Sequence, residues 1–174
     1  MGDIRLFVSH AHKDKDIAVA LVDAVEAAMV PKARILCTSH PKQAYRELEN
    51  DDVSEHLRKH LRDSPCVLGV LTPNSIKSPW CLFELGGAWA LASRTYPLLA
   101  GGLSKESLPA ALKGSEAAQL TDANEISRVL GDLSEALKWP PRTGSAQAAI
   151  NHLVEVVRKS MLESRMLPSA REVF

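Results

Sequence analysis

Residues 66–92, CVLGVLTPNSIKSPWCLFELGGAWALA, decide the fold. The first six, from Cys66 to Leu71, form a continuous apolar run, as expected of a central parallel strand covered on both faces. Thr72, Pro73, Asn74 and Ser75 end it. Ser78 then offers a helix cap, Pro79 suits the first helical position, and nothing through Ala92 breaks the helix outright. A buried strand, a short polar turn and an apolar helix together make one unit of an α/β sheet.

Within that helix Glu84 is the only carboxylate, and Trp80 lies one turn before it on the same side. An acid among Trp80, Leu82, Phe83 and Leu85 must reach water, find a partner or shift its pKa. Two readings of Glu84 follow: a solvent-facing or ion-paired surface residue, or a functional carboxylate. Trp80 divides the same way, between an ordinary core aromatic and a ring that stacks on a ligand or walls a pocket. Gly86 and Gly87 cost the helix roughly 1 kcal/mol each relative to Ala, which is best explained by close packing against the backbone there.

Outward from this unit the chain alternates. Residues 4–8 (IRLFV) read as a strand, 9–14 as a polar turn, and 15–29 as a helix with Ile17, Ala20, Leu21, Ala24, Val25, Ala28 and Met29 at helical spacing. Residues 34–37 (RILC) are a second strand. Residues 38–51, TSHPKQAYRELEND, form a polar segment longer than the usual connection of about 4–6 residues. Asp52 with Glu55 makes a capping box for a helix striped by Val53, Leu57 and Leu61. Tyr96 to Ala100 is a fourth strand, with Pro97 arguing for an edge or strand-start position. Residues 117–120 are a fifth strand, and Asp122 with Glu125 opens a helix on Ile126, Val129, Leu133 and Leu137. A last helix is expected over 145–161, followed by an irregular tail.

Five alternations of strand and helix predict an α/β fold: a parallel sheet with helices on both faces, ligands binding beyond the carboxyl ends of the strands. The connections on that rim are 9–14, 38–51 and 72–84. At 174 residues and 45% hydrophobic, the chain suits one domain, expected over 1–162 with a tail at 163–174. Equal numbers of basic and acidic residues, 21 each, give no support for nucleic acid or anionic membrane as partners. With no signal segment and no apolar run of about 18 residues, the chain reads as soluble and cytoplasmic. Cys37, Cys66 and Cys81, odd in number and set in apolar runs, read as buried thiols.

Several chemistries drop out for lack of their motifs. There is no GxGxxG after the first strand, no P-loop, and no HExxH, CxxC or GxSxG. His10 and His12 lie near Asp14 but lack a third imidazole or thiolate at ligand spacing, so the reading is of rim histidines and no metal.

The segments FVSHAHKD (7–14), CVLGVLTPNSIKS (66–78) and above all SPWCLFELGGAWAL (78–91) resemble Toll/interleukin receptor (TIR) domains of the bacterial, NAD-cleaving branch, over roughly residues 3–137. The resemblance implies a flavodoxin-like three-layer sandwich with a five-stranded parallel sheet. It implies a NAD nucleosidase that cleaves the nicotinamide–ribose bond, giving ADP-ribose or a cyclic isomer, in a setting such as antiphage defence. NAD is then substrate, and no separate cofactor is needed. By position Glu84 is the catalytic residue. Trp80, Ser9, His10, Lys13 and Cys81 line the nucleotide pocket. The 38–51 loop, with Lys42, Arg46 and Glu47, serves homotypic assembly, and a fused or separate sensor or effector protein is a further partner. The family's loop consensus is absent from 38–51. A non-catalytic TIR interaction module that acts by homotypic contacts is the alternative.

Overall fold

The computed structural model describes residues 4–31, 34–37 and 59–166. In chain order the named elements are β1 (Ile4–Ser9), α1 (Lys15–Ala28), β2 (Arg34–Leu36), β3 (Cys66–Leu71), α2 (Pro79–Ala90), β4 (Arg94–Leu99), β5 (Ala118–Gln119), α3 (Ala123–Leu137) and α4 (Gln147–Met166). Residues 59–63 are also helical. All the strand pairs are parallel and the order is β2-β1-β3-β4-β5. This is the flavodoxin-like order, in which the path reverses direction between β1 and β3 and leaves a crevice at their carboxyl ends.

Side-chain alternation along the strands divides the core in two. Leu6 and Val8 of β1, with Cys66, Leu68 and Val70 of β3, pack with α1, α3 and α4. Phe7 of β1, with Val67 and Leu71 of β3 and Leu99 of β4, packs with Leu85 and Ala88 of α2 and with Leu61. Trp139, just after α3, closes the first of these layers and is 2% exposed. The three thiols are buried and unbridged, as their apolar contexts require.

β3 matches its apolar run residue for residue. Four other expectations are corrected. Pro97 sits in an inner strand, not at an edge, opposite Gly69 of β3. It is tolerated there because β5 pairs with β4 only at Leu98 and Leu99, so the ring falls just before the second neighbour begins. The last helix runs five residues beyond Met161, to Met166, because the apolar residues of this extension, Leu162 and Met166, are exposed and give no core-facing pattern to read. Only half of the expected box forms at α3: Asp122 accepts from the amides of Asn124 and Glu125, at 2.8 and 3.3 Å, while the Glu125 carboxylate accepts from the Gln119 amide instead. Of the glycine pair, Gly87 approaches Leu61, so that a Cβ would lie 3.1 Å from its Cδ1, but Gly86 faces no atom within 4 Å among the described residues. Residues 38–58, including the capping box at Asp52, and the segment from 167 onward lie outside the described residues.

Two close approaches set the site. Gly69 lets α2 settle onto β3, since a Cβ there would lie 2.7 Å from Leu85 Cδ2. Gly101, at a φ of +69°, lets the loop after β4 meet Pro73, where a Cβ would lie 2.5 Å from the ring Cδ. Among the described residues no helix is long and apolar enough to cross a membrane.

Gly69→Val should destabilise the domain by about 1–3 kcal/mol, the usual cost of overfilling a packed layer. Combination with Leu85→Ala should give less than the sum of the single losses, as read by urea denaturation. Strictly additive losses would show that the two side chains do not compete for this space.

Candidate active site

Ser78 caps α2 by accepting from the Cys81 amide at 3.4 Å, with Pro79 in the first turn, as those residue types favour. The helix that follows is inverted relative to an ordinary amphipathic one. Its acid, Glu84, is 5% exposed, whereas Trp80, Phe83 and Trp89 are 48%, 66% and 59% exposed. The carboxylate is inside and the aromatics are outside.

Glu84 is held from the sheet. Alternation along β1 turns Phe7 and Ser9 toward α2, and the Ser9 hydroxyl donates to Glu84 Oε2 at 2.6 Å across 75 residues of sequence. The Trp80 indole beside the same carboxylate also favours its charged form. Burial outweighs both and pushes the Glu84 carboxyl from its ordinary 4.5 up to about 7. At neutral pH it is poised between its acid and its carboxylate.

Around it lies a cavity of about 260 Å³, lined by Phe7, Val8, His10, Ala11, His12, Ser78, Trp80, Cys81 and Glu84. Burial pushes the His10 imidazole below its usual range, against the opposing pull of the Val8 carbonyl, 3.4 Å from Nδ1, and of Asp14. Burial likewise raises the Cys81 thiol, and nearby Glu84 adds to this, so Cys81 presents a neutral, weakly polar wall. Of the residues expected here, Glu84, Trp80, Ser9, His10 and Cys81 come together. Lys13 does not. It lines a separate groove with Asp16, Lys159 and Glu163, because the 3-10 turn His12–Asp14 sends consecutive side chains in different directions. Lys42, Arg46 and Glu47 lie outside the described residues. His12 was read from the sequence only as a rim residue, and the fold adds it to the cavity wall. No group of three or more His, Cys, Asp or Glu side chains that could hold a metal occurs among the described residues.

Residues 6–130, which span this sheet from β1 to β5 and the helix that carries Glu84, are matched by a family model described as TIR domain. The chain belongs to the TIR-domain family. It is 32% identical over 103 residues to the uncharacterized protein YddK of Bacillus subtilis (strain 168), an alignment covering 59% of this chain and 38% of YddK. In fold it is similar to a metazoan TIR-STING receptor from C. gigas. The receptor in complex with 2',3'-cGAMP matches with a TM-score of 0.57 and 23% identity over 79% of this chain and 40% of the receptor chain. A second structure of that receptor matches with a TM-score of 0.54 and 21% identity, over 78% and 40%. The chain spans about two fifths of the length of these relatives, and TIR identity accounts for the sheet and for the helix that carries Glu84.

Burial of Glu84 makes a stability prediction with a definite sign. Its folded pKa lies above its unfolded one, so the folded state binds the extra proton. Stability is therefore full below about 4.5 and is lost as pH rises through about 7. At about 1.4 kcal/mol per pH unit the gap amounts to on the order of 3 kcal/mol. Glu84→Gln should raise the melting temperature at pH 8 and leave it nearly unchanged at pH 4.5. Equal effects at the two pH values would show that Glu84 is not buried as an acid.

Proposed function

We propose that this TIR domain is a NAD nucleosidase with Glu84 as its catalytic carboxylate. One observation carries the reading: a buried carboxylate, held by a serine from β1 and flanked by an indole from its own helix, lines a cavity at the carboxyl edge of the sheet. Cleavage of the bond to nicotinamide releases a neutral ring and builds positive charge on the ribose. The leaving group needs no strong general acid. What the step needs is a preorganised negative charge beside the sugar, worth most where water is excluded.

The pieces have distinct parts in this scheme. Ser9 and Trp80 orient the Glu84 carboxylate toward the ribose, and the half-exposed Trp80 ring offers a stacking face for a flat base. His10 and Cys81, both uncharged near neutrality, shape the wall without competing for the anion. At about 260 Å³ the cavity is near the lower end of ligand pockets, which run from about 300 to 1,000 Å³, and suits a ring and its sugar, the rest of the dinucleotide lying along the rim. Attack by water gives nicotinamide and ADP-ribose. Attack by a group folded back from the same substrate gives a cyclic isomer. Bacterial antiphage defence is the setting we assign to this activity, by likeness of motif to the NAD-cleaving branch.

A second reading has its own support. Trp80, Leu82, Phe83, Trp89 and Leu91 expose 41–66% of their surface on or just after α2, which suits an interaction module acting through homotypic TIR contacts. The two readings part at Glu84, because a contact surface has no use for a buried acid.

Glu84→Gln should lower release of nicotinamide from NAD at least about 100-fold in a protein that still folds, measured by chromatography of the products. Wild-type kcat/KM should fall as pH drops through about 7, since the carboxylate is the active form. The corresponding limb in kcat should lie lower, because a bound pyridinium favours the charged acid. Full turnover by E84Q would remove the enzymatic reading and leave the interaction module.

Assembly is tested on the exposed aromatics. Specific activity should rise with protein concentration in the wild type, and Phe83→Ser with Trp89→Ser should flatten that rise without lowering the melting temperature. A wild-type protein that sediments as a monomer at every concentration, with constant specific activity, would exclude assembly as a condition of activity.

A further inference from the structure

Asp14 stands at the N-cap position of α1, where an aspartate ordinarily accepts from its own helix, yet its side chain makes no cap bond. It is turned instead toward the loop after β3. Thr72 Oγ1 donates to Asp14 Oδ2 at 2.6 Å, and Asn74 Nδ2 donates to Asp14 Oδ1 at 2.9 Å. Thr72 Oγ1 in turn accepts from the amides of Asn74 and Ser75, at 3.0 and 3.1 Å. Ser75 Oγ accepts from the Thr72 amide at 2.7 Å and donates to the Thr72 carbonyl at 3.1 Å. Asp14, Thr72 and Ser75 are all buried, at 2%, 3% and 1% exposure.

The place of this knot gives it a use. The ladder between β1 and β3 ends at Ser9 opposite Gly69, so beyond that pair no sheet hydrogen bond fixes one chain against the other. Ser9 must nevertheless meet Glu84 at 2.6 Å, and Glu84 rides on the helix that the loop after β3 leads into. Asp14 lies five residues beyond Ser9, and Thr72 and Asn74 lie just before the Ser78 cap of that helix. The carboxylate ties the two loops together where the sheet stops doing so.

We propose that Asp14 is a positioning residue: by clasping Thr72 and Asn74 it registers the loop after β1 against the start of α2 and so holds Ser9 on Glu84. It does not line the Glu84 cavity. It borders two others, one of about 180 Å³ with Thr72, Asn74 and Gly101, and one with Lys13 and Asp16. The consequence for turnover rests on the nucleosidase reading, and the consequence for the Ser9–Glu84 contact does not.

The experiment therefore reads the contact directly. In full-length chain labelled with 13C at glutamate carboxyls, the Glu84 resonance is assigned by its loss in E84Q and titrated in wild type, S9A, D14N, T72V and T72S. The groups that face Glu84 in its cavity are His10 and His12 from the loop after β1 and Cys81 from α2; none of these variants replaces them, and T72V, unlike D14N, also keeps the Asp14 charge that acts on His10 and Cys81. Ser9→Ala should move the Glu84 midpoint upward, because the hydroxyl favours the charged form. D14N and T72V should move it in the same direction, and T72S, which keeps the hydroxyl, should titrate as wild type. Nicotinamide release at pH 7 should fall about tenfold or more in D14N and T72V and recover in T72S, as expected when a reacting group is misplaced. If D14N does not fold, T72V and Asn74→Ala, the latter removing one arm of the clasp, carry the same reading. Midpoints in D14N and T72V that superimpose on wild type would overturn the proposal and leave a loop staple without bearing on the site. A wild type that releases no nicotinamide, but whose Glu84 midpoint still moves in D14N, would retain the clasp and remove only the catalytic reading.

Discussion

A single carboxylate, taken out of water and compensated by one hydroxyl and one indole, is the constraint that organises this domain. These two groups do not replace the hydration that Glu84 loses, and the residue of that deficit is its displacement to about 7. Full compensation, such as a close guanidinium, would give a permanently charged and chemically quiet acid. No compensation would give a permanently neutral one. Partial compensation leaves a group that a neighbouring positive charge can ionise, which is the property a site for a cationic substrate needs.

The fold delivers that group through packing, not through loop chemistry alone. Strand alternation sends Phe7 into the layer beneath α2 and Ser9 to the rim above it, so one strand supplies both the floor and the donor. The bare backbone at Gly69 sets how closely α2 can lie on β3, and with it the height of Glu84 above the sheet. Where the ladder ends, the Asp14 clasp takes over. Each of these is a short-range steric or hydrogen-bonding fact, and their product is a donor and an acceptor from residues 75 apart at 2.6 Å.

How much of this the sequence shows depends on what each residue pattern encodes. A continuous apolar run encodes burial on both faces, so β3 is legible to the residue. An acid alone in an apolar helix is legible as an anomaly, and so Glu84 stands out. The side of the helix it faces is not legible, because a segment that is apolar all round gives no periodic signal to orient it. Asp14 is hidden for the opposite reason, since an aspartate before a helix already has a sufficient local explanation as a cap. Lys13 misleads because adjacency in a turn says nothing about direction. Pro97 misleads because strand position depends on how far the neighbouring strand extends, which is set by β5 and not by β4.

The inversion of α2 links the cavity to the surface. Burying Glu84 fixes the rotation of the helix about its axis, and that rotation in turn carries Phe83, one residue before it, and Trp89, five after it, outward, while Trp80, one turn before it on the same side, stays half-exposed at the helix start. The exposed aromatics are thus a geometric consequence of the buried acid and need no separate cause. They are still consequential, because Trp80 belongs to both regions: its ring walls the cavity, and almost half of its surface faces outward beside Phe83. A partner surface laid on Phe83 lies within one helical turn of the indole that lines the cavity beside Glu84. On the nucleosidase reading, a partner's contact at this surface and the charge in the cavity would bear on one side chain, and Trp80 is where association and chemistry would meet.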